Sequence, residues 1–255
     1  MANVAILALA DLLARRHRTL MLIAINQALV GILAISLTAI ASAGVLTGTL
    51  LTIGPLGWAT ILIGLGYVTG MHCLHAKRPE PPFATKAEAQ EAVSRAPTLP
   101  RAAIGFTIGA IAILIAGRPL AHSSADLANR LGLTVGVIGV ALLAVTTSLP
   151  ELTVTLASVR IGAYDLAVGN MLGSNSFNMV ILLVLDTVHG QGSLLAQAGP
   201  DVLLAAMFAI LLTGLTTMEV LNKAERRTWL LEPDAAIRLA LYVLGLYLVV
   251  RTGGG

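Results

Sequence analysis

Apolar runs of about 20 residues, the length a helix needs to cross a bilayer core, recur along the chain at 19–42, 52–75, 102–121, 132–157, 165–187, 199–220 and 236–251. Seven spanning helices are predicted. An eighth apolar piece, Asn3 to Leu13, is too short to span and is predicted to be half a helix; it has neither the basic leader nor the small-residue cleavage site of a secretory signal. The longest polar interruption, Ala76 to Pro100, holds five of the ten prolines, several charges and no apolar period, so it is predicted to be a surface linker with at most one short helix. The chain thus divides into residues 1–76, with the half-helix and two spans, a linker at 77–100, and residues 101–255 with five spans.

Composition makes the environment of these runs unambiguous. With 56% hydrophobic residues, 11% charged residues and a mean hydropathy of +0.87, the expected fold class is an all-α integral membrane bundle. The formal charge of +3 then orients the chain rather than recruiting nucleic acid. Arg15, Arg16 and Arg18 precede the first span, and Lys77, Arg78, Lys86, Arg95 and Arg101 fill or flank the linker. If both regions are cytoplasmic, alternate crossings put Arg160, Lys223, Arg226, Arg227 and Arg238 on that side too, and only Arg118, Arg130 and Arg251 opposite. The expected location is a cell membrane, plasma or inner, crossed several times. The single cysteine, Cys73, excludes an internal disulfide and a multi-cysteine zinc site.

Two stretches repeat at one constant offset, the one that carries Asn3 onto Asn178: "NVAILALAD" from Asn3 matches "NMVILLVLD" from Asn178, and "ALVGILAISLT" (28–38) matches "LLAAMFAILLT" (203–213). By the charge rule the matched spans run in opposite directions, the pattern of an inverted-repeat transporter with its ions near the midplane. On this alignment the first repeat begins midway, and nothing in residues 1–76 pairs with Arg101 to Phe177.

The polar groups inside the apolar runs concentrate between Ala144 and Asn178. Pro150 has no amide hydrogen and its ring crowds the carbonyl four residues back, so the carbonyls of Thr146 and Thr147 are expected to leave the helical ladder. Glu151, one turn beyond Thr147 and Ser148, joins a carboxylate and a hydroxyl to that break. Asn170, Ser174 and Asn178 recur every four residues on the next span, with Gly169 and Gly173 on a neighbouring face to permit close helix contact. Oxygen ligands of these kinds suit a hard cation, calcium or sodium, and not a soft metal. Thr153, Thr155 and Ser158 are expected to be packing or back-bonded hydroxyls. A mid-membrane carboxylate costs about 2.5–3.5 kcal/mol even on the gentler insertion scales, so Glu151 is expected to be functional.

"TSLPE" followed on the next span by "GNMLGSNSFN" resembles the second alpha-repeat of the cation/calcium exchanger superfamily, and "NVAILALADLLARR" resembles the end of its first. The resemblance implies a ten-helix antiporter with one glutamate from each repeat at a central cation cluster. It implies a carbonyl ligand from Thr147, hydroxyls from Ser148 and Ser174, the carboxylate of Glu151 and the amide oxygen of Asn178, with Asn170 and Asn175 at further motif positions. Thr146 stands where the family has glycine, and the first repeat's glutamate motif does not occur in this sequence.

The expected function is secondary antiport of calcium against sodium or protons around Glu151, by this chain as an antiporter or as the C-terminal part of one. One carboxylate opposite a divalent ion leaves a net positive charge in a low-dielectric site, so the chain is expected to be the remnant of a longer exchanger gene, to have its true start upstream, or to be completed by a second polypeptide that supplies the other repeat half. The alternative is a non-transporting membrane subunit. No phosphate-binding glycine loop points to ATP, and no paired acid and base or nucleophile points to an enzyme; the cations themselves are the only small partners expected. His72, Cys73 and His75 are read as interfacial side chains, His122 to Ser124 and Asp126 as a polar loop, and Asp11 and Asp186 as solvated or capping groups at helix ends.

Overall fold

A computed structural model describes residues 1–13, 25–48, 52–53, 56–76, 99–131, 147–160, 164–190, 192–222 and 233–253. Among the described residues eight α-helices follow one another: α1 (Ala2–Leu13), α2 (Ile25–Thr47), α3 (Trp58–Ala76), α4 (Leu99–Leu131), α5 (Leu149–Arg160), α6 (Tyr164–His189), α7 (Pro200–Asn222) and α8 (Pro233–Gly253). A two-residue ribbon, β1 (Thr52–Ile53) against antiparallel β2 (Leu56–Gly57), precedes α3, and a 3-10 turn at Leu194–Gln197 joins α6 to α7. The fold is all-α and membrane-embedded: Gln27–Thr47, Leu166–His189, Pro200–Leu221 and Ala235–Gly253 are each long and apolar enough to cross a bilayer.

α2 is the central strut. It packs along α7, α6 and α3, while α1 lies against α8 and α6. Its start joins a cluster of Leu7, Ala28, Val168, Met171, Leu172 and Val220, and its later turns join a second cluster of Leu37, Ala41, Ala59, Ile63 and Leu195. Lipid is as apolar as leucine, so burial gains little between membrane helices and close approach at small residues has to carry the packing. Gly44 illustrates the point, since a Cβ there would stand 2.5 Å from that of Ala59. Apolar side chains turned outward, such as Ile104, Ile108, Ile111 and Ile115 of α4, are what a lipid-facing surface requires.

The helix boundaries repeat at the offset read from the sequence. α2 and α7 begin at Ile25 and Pro200 and end at Thr47 and Asn222, and α3 and α8 begin at Trp58 and Pro233; each pair is separated as Asn3 is from Asn178. The half-helix is present as α1, and α6, α7 and α8 lie within three residues of their predicted spans. Three expectations change. The span predicted from 52 starts at Trp58, because residues 52–53 and 56–57 form the ribbon; the sequence between them, Gly54-Pro55, is a pair that opposes helix propagation. The span predicted to end at 121 continues to Leu131, with Pro119 inside it, so His122, Ser123, Ser124 and Asp126 are helical and not a loop entrance. Among the described residues no heavy atom lies within 4 Å of a would-be Cβ at Gly173, whereas Gly169 makes a close approach to the Gln27 side chain. The linker at 77–98, Thr146 and most of the span predicted at 132–157 lie outside the described residues.

A candidate cation site where α5 meets α6

Pro150 sits in the first turn of α5, where its missing amide hydrogen has no helical partner to lose. A turn at Ser148 separates the helical Thr147 from α5, and the Ser148 carbonyl accepts the Leu152 amide at 2.9 Å. The carbonyl of Thr146, where the proline is expected to open the ladder, lies outside the described residues. Ser148 is buried, whereas Thr147 and Pro150 are exposed.

Glu151 turns towards α6. The Ser174 hydroxyl donates to its Oε1 at 2.7 Å, and the Asn170 amide donates to its backbone carbonyl at 3.3 Å and to Thr155 Oγ1 at 3.5 Å. Two of the three residues of the four-residue stripe on α6 thus meet the carboxylate's helix, as the spacing predicts. The other carboxylate oxygen, Oε2, is buried and has no hydrogen-bond donor among the described residues. A shielded anionic oxygen with no donor carries an unmet electrostatic demand, which a cation or a proton would satisfy.

The remaining predicted residues divide. Asn175 is drawn into the same region, its Oδ1 accepting 3.1 Å from the Nδ2 of Asn3. Asn178, one turn beyond Ser174, is exposed, and no hydrogen bond joins it to Glu151 among the described residues. Thr153 and Ser158 bond back to the carbonyls of Leu149 and Val154, both at 2.8 Å, as expected of such hydroxyls in membrane helices. Thr155 does more, because it is fully buried and accepts from Asn170.

Asn3 is the residue that pattern reading misses as part of the site. It is 3% exposed and brings α1 against the polar face of α6. Its alignment with Asn178 in the internal repeat is the signal that points to it. His72, Cys73 and His75 at the end of α3 are exposed, and no group of three His, Cys, Asp or Glu residues that could hold a metal occurs among the described residues. Of the two roles expected for Asp186, solvated or capping, the structure shows the second. It is not solvated but fully buried, and it caps a different helix from its own.

Residues 101–251 match the family of sodium/calcium exchanger proteins. Relatives include CaxA of Alkalimonas amylolytica, described as a candidate antiporter, which is 35% identical over 140 residues, 54% of this chain and 43% of the relative. Inner membrane protein YrbG of Escherichia coli K12 is 38% identical over 96 residues, 38% of this chain and 30% of that protein. Sodium/calcium exchanger MaX1 of Methanosarcina acetivorans is 41% identical over 81 residues, 32% of this chain and 23% of that protein. The matched region spans less than half the length of each of these relatives. No solved structure matches.

Proposed function

The chain belongs to the sodium/calcium exchanger protein family, and on that premise we propose that it forms part of a secondary cation antiporter exchanging calcium for sodium or protons around Glu151. The observation that carries this reading is the Glu151 carboxylate, with one oxygen held by Ser174 and the other buried without a donor among the described residues. Ser174 orients the carboxylate, Asn170 fixes the helix that bears it, and Ser148, Thr147, Asn175 and Asn178 supply neutral oxygens within reach of the path on either side. A membrane-buried carboxylate that is empty carries the desolvation cost of its charge, so it binds whichever ion or proton arrives and exchanges one for another. The inverted-repeat arrangement of seven spans is supported by the helix boundaries that recur at the offset of the sequence repeat, and the basic segments are assigned to the cytoplasmic face.

Calcium-45 uptake into proteoliposomes, driven by an outward sodium gradient or a proton gradient, tests the reading. Wild type is expected to exchange and Glu151→Gln to lose uptake by about two orders of magnitude, as expected when a sole charged ligand is removed. Uptake unchanged by the substitution overturns the site. The orientation has its own test: Cys73, the single cysteine, is exposed, and a membrane-impermeant maleimide should label it in inside-out vesicles and spare it in right-side-out ones.

A second reading follows from the charge count, since the described residues offer the site one carboxylate and no cluster of three metal-binding side chains. In that reading the chain packs with a second polypeptide that contributes the other repeat half. Reconstituted alone it carries no calcium flux, and a second membrane protein co-purifies with it from native membranes.

A further inference from the structure

At the far end of α6 from the Glu151 contact, Asp186 is fully buried and joins three separate elements. Its Oδ2 accepts from the Gly57 amide at 2.9 Å and from the Thr60 hydroxyl at 2.6 Å, and its Oδ1 accepts from the Leu194 amide at 2.5 Å. Gly57 ends β2, Thr60 lies in the first turn of α3, and Leu194 opens the 3-10 turn that leads to α7. The carboxylate therefore caps the amino end of α3 from across the bundle, where the helix dipole and the unpaired amides favour an anion. The backbone comes close enough only because residue 57 is glycine, as a Cβ there would stand 2.9 Å from the Cβ of Ser193.

Resting on the antiporter reading above, we propose that Asp186 is a positioning residue for the cation site, fixing the height and rotation of α6 against the first half of the chain. Three donors arriving from different directions hold one side chain at one point, and that side chain is rigidly attached to the helix that carries Asn170, Ser174 and Asn178. Asp186 lies twelve residues beyond Ser174, about 18 Å along the helix, so it acts through α6 and not by touching an ion. A twist or a slide of α6 at this end moves Ser174 relative to the Glu151 carboxylate. Only an ionised carboxylate accepts all three donors; an asparagine of the same shape must turn its amino group towards at least one of them.

The test is Asp186→Asn in the full chain, purified and reconstituted. Its apparent KM for calcium is expected to rise on the order of tenfold, the scale on which residues that orient a metal ligand act, while amide hydrogen exchange quickens at Gly57 and Leu194 and also through residues 170–178. Thr60→Val removes one donor and should give a smaller rise in KM. Gly70→Val, a packing lesion of α3 against Leu33 of α2 that lies ten residues, about 15 Å, beyond Thr60 along the helix, should lower thermal stability with KM unchanged. If Asp186→Asn lowers stability like Gly70→Val but leaves KM where it was, Asp186 is only a structural cap and the proposal fails. If wild type itself carries no flux, the antiporter reading fails alone, and hydrogen exchange still decides the positioning: faster exchange confined to Gly57 and Leu194 overturns it, and spread through 170–178 supports it.

Discussion

The hairpins α2–α3 and α7–α8 occupy the same register of the internal repeat, yet different physics holds each together. In the first, Gly44 lets α2 close on Ala59, Ile63 is fully buried in an apolar cluster, and the Trp58 indole donates to Thr47 Oγ1 at 3.1 Å to pin the two helices at their turn. In the second, the positions corresponding to Gly44 and Ile63 are Glu219 and Arg238. These form an ion pair at 3.1 Å with Arg238 only 1% exposed. A membrane bundle can thus close the same helical corner by backbone proximity, which needs small residues and no charge, or by paired charges, which need each other. The second solution is less tolerant, because removing either member takes an opposite charge away from a buried or half-buried one.

That contrast predicts an ordered set of effects on thermal or denaturant unfolding of the purified chain in detergent. Arg238→Met should be the most damaging, destabilising by about 3–5 kcal/mol because Glu219 loses its cation. Adding Glu219→Leu to Arg238→Met should recover most of that loss, since two apolar side chains of similar volume replace a desolvated pair; a double variant no better than the single would refute the ion-pair account of this corner. In the first hairpin Gly44→Val should cost about 1–3 kcal/mol through overpacking against Ala59 and Leu195. Trp58→Phe keeps the ring and removes the bond to Thr47, for a loss of about 1 kcal/mol. The smallest effects belong to Ser42 and Thr217, which again correspond in the repeat and bond back to the carbonyls of Thr38 and Thr213 at 2.9 and 2.7 Å. Replacing either with alanine should change stability by about 0.6 kcal/mol or less; equal small losses would show that the two hairpins differ at their corner and not along their length.

The candidate site is legible in proportion to how local its signals are. Glu151 after a proline and a polar stripe at four-residue spacing are properties of one or two consecutive helices, so the chain alone anticipates the meeting of Glu151 with Ser174 and Asn170. The approach of Asn3 to Asn175 joins opposite parts of the chain, and no local pattern encodes it. The exposure of Asn178 is likewise a matter of where neighbouring helices lie, because spacing along α6 places it on the same stripe as Ser174 without saying what covers that stripe. The loop expected at His122 to Asp126 fails for another reason: polar residues end an apolar run, but they do not end a helix whose backbone hydrogen bonds are already satisfied within itself.

The sequence by itself determined that this chain lives in a membrane, that it is helical, where α6, α7 and α8 begin and end to within three residues, that two of its segments recur at a constant offset, and which carboxylate follows a proline in an apolar run. Each of these follows from hydropathy over about 20 residues, helical periodicity or the geometry of proline, all of which act at short range along the chain. Only the tertiary structure decided that Asp186 is buried as a cap on α3, that Arg238 is paired with Glu219, and that Asn3 bonds Asn175. Those outcomes depend on which helices touch, and between helices in lipid the choice rests on a few close approaches and polar pairings between residues far apart in the chain.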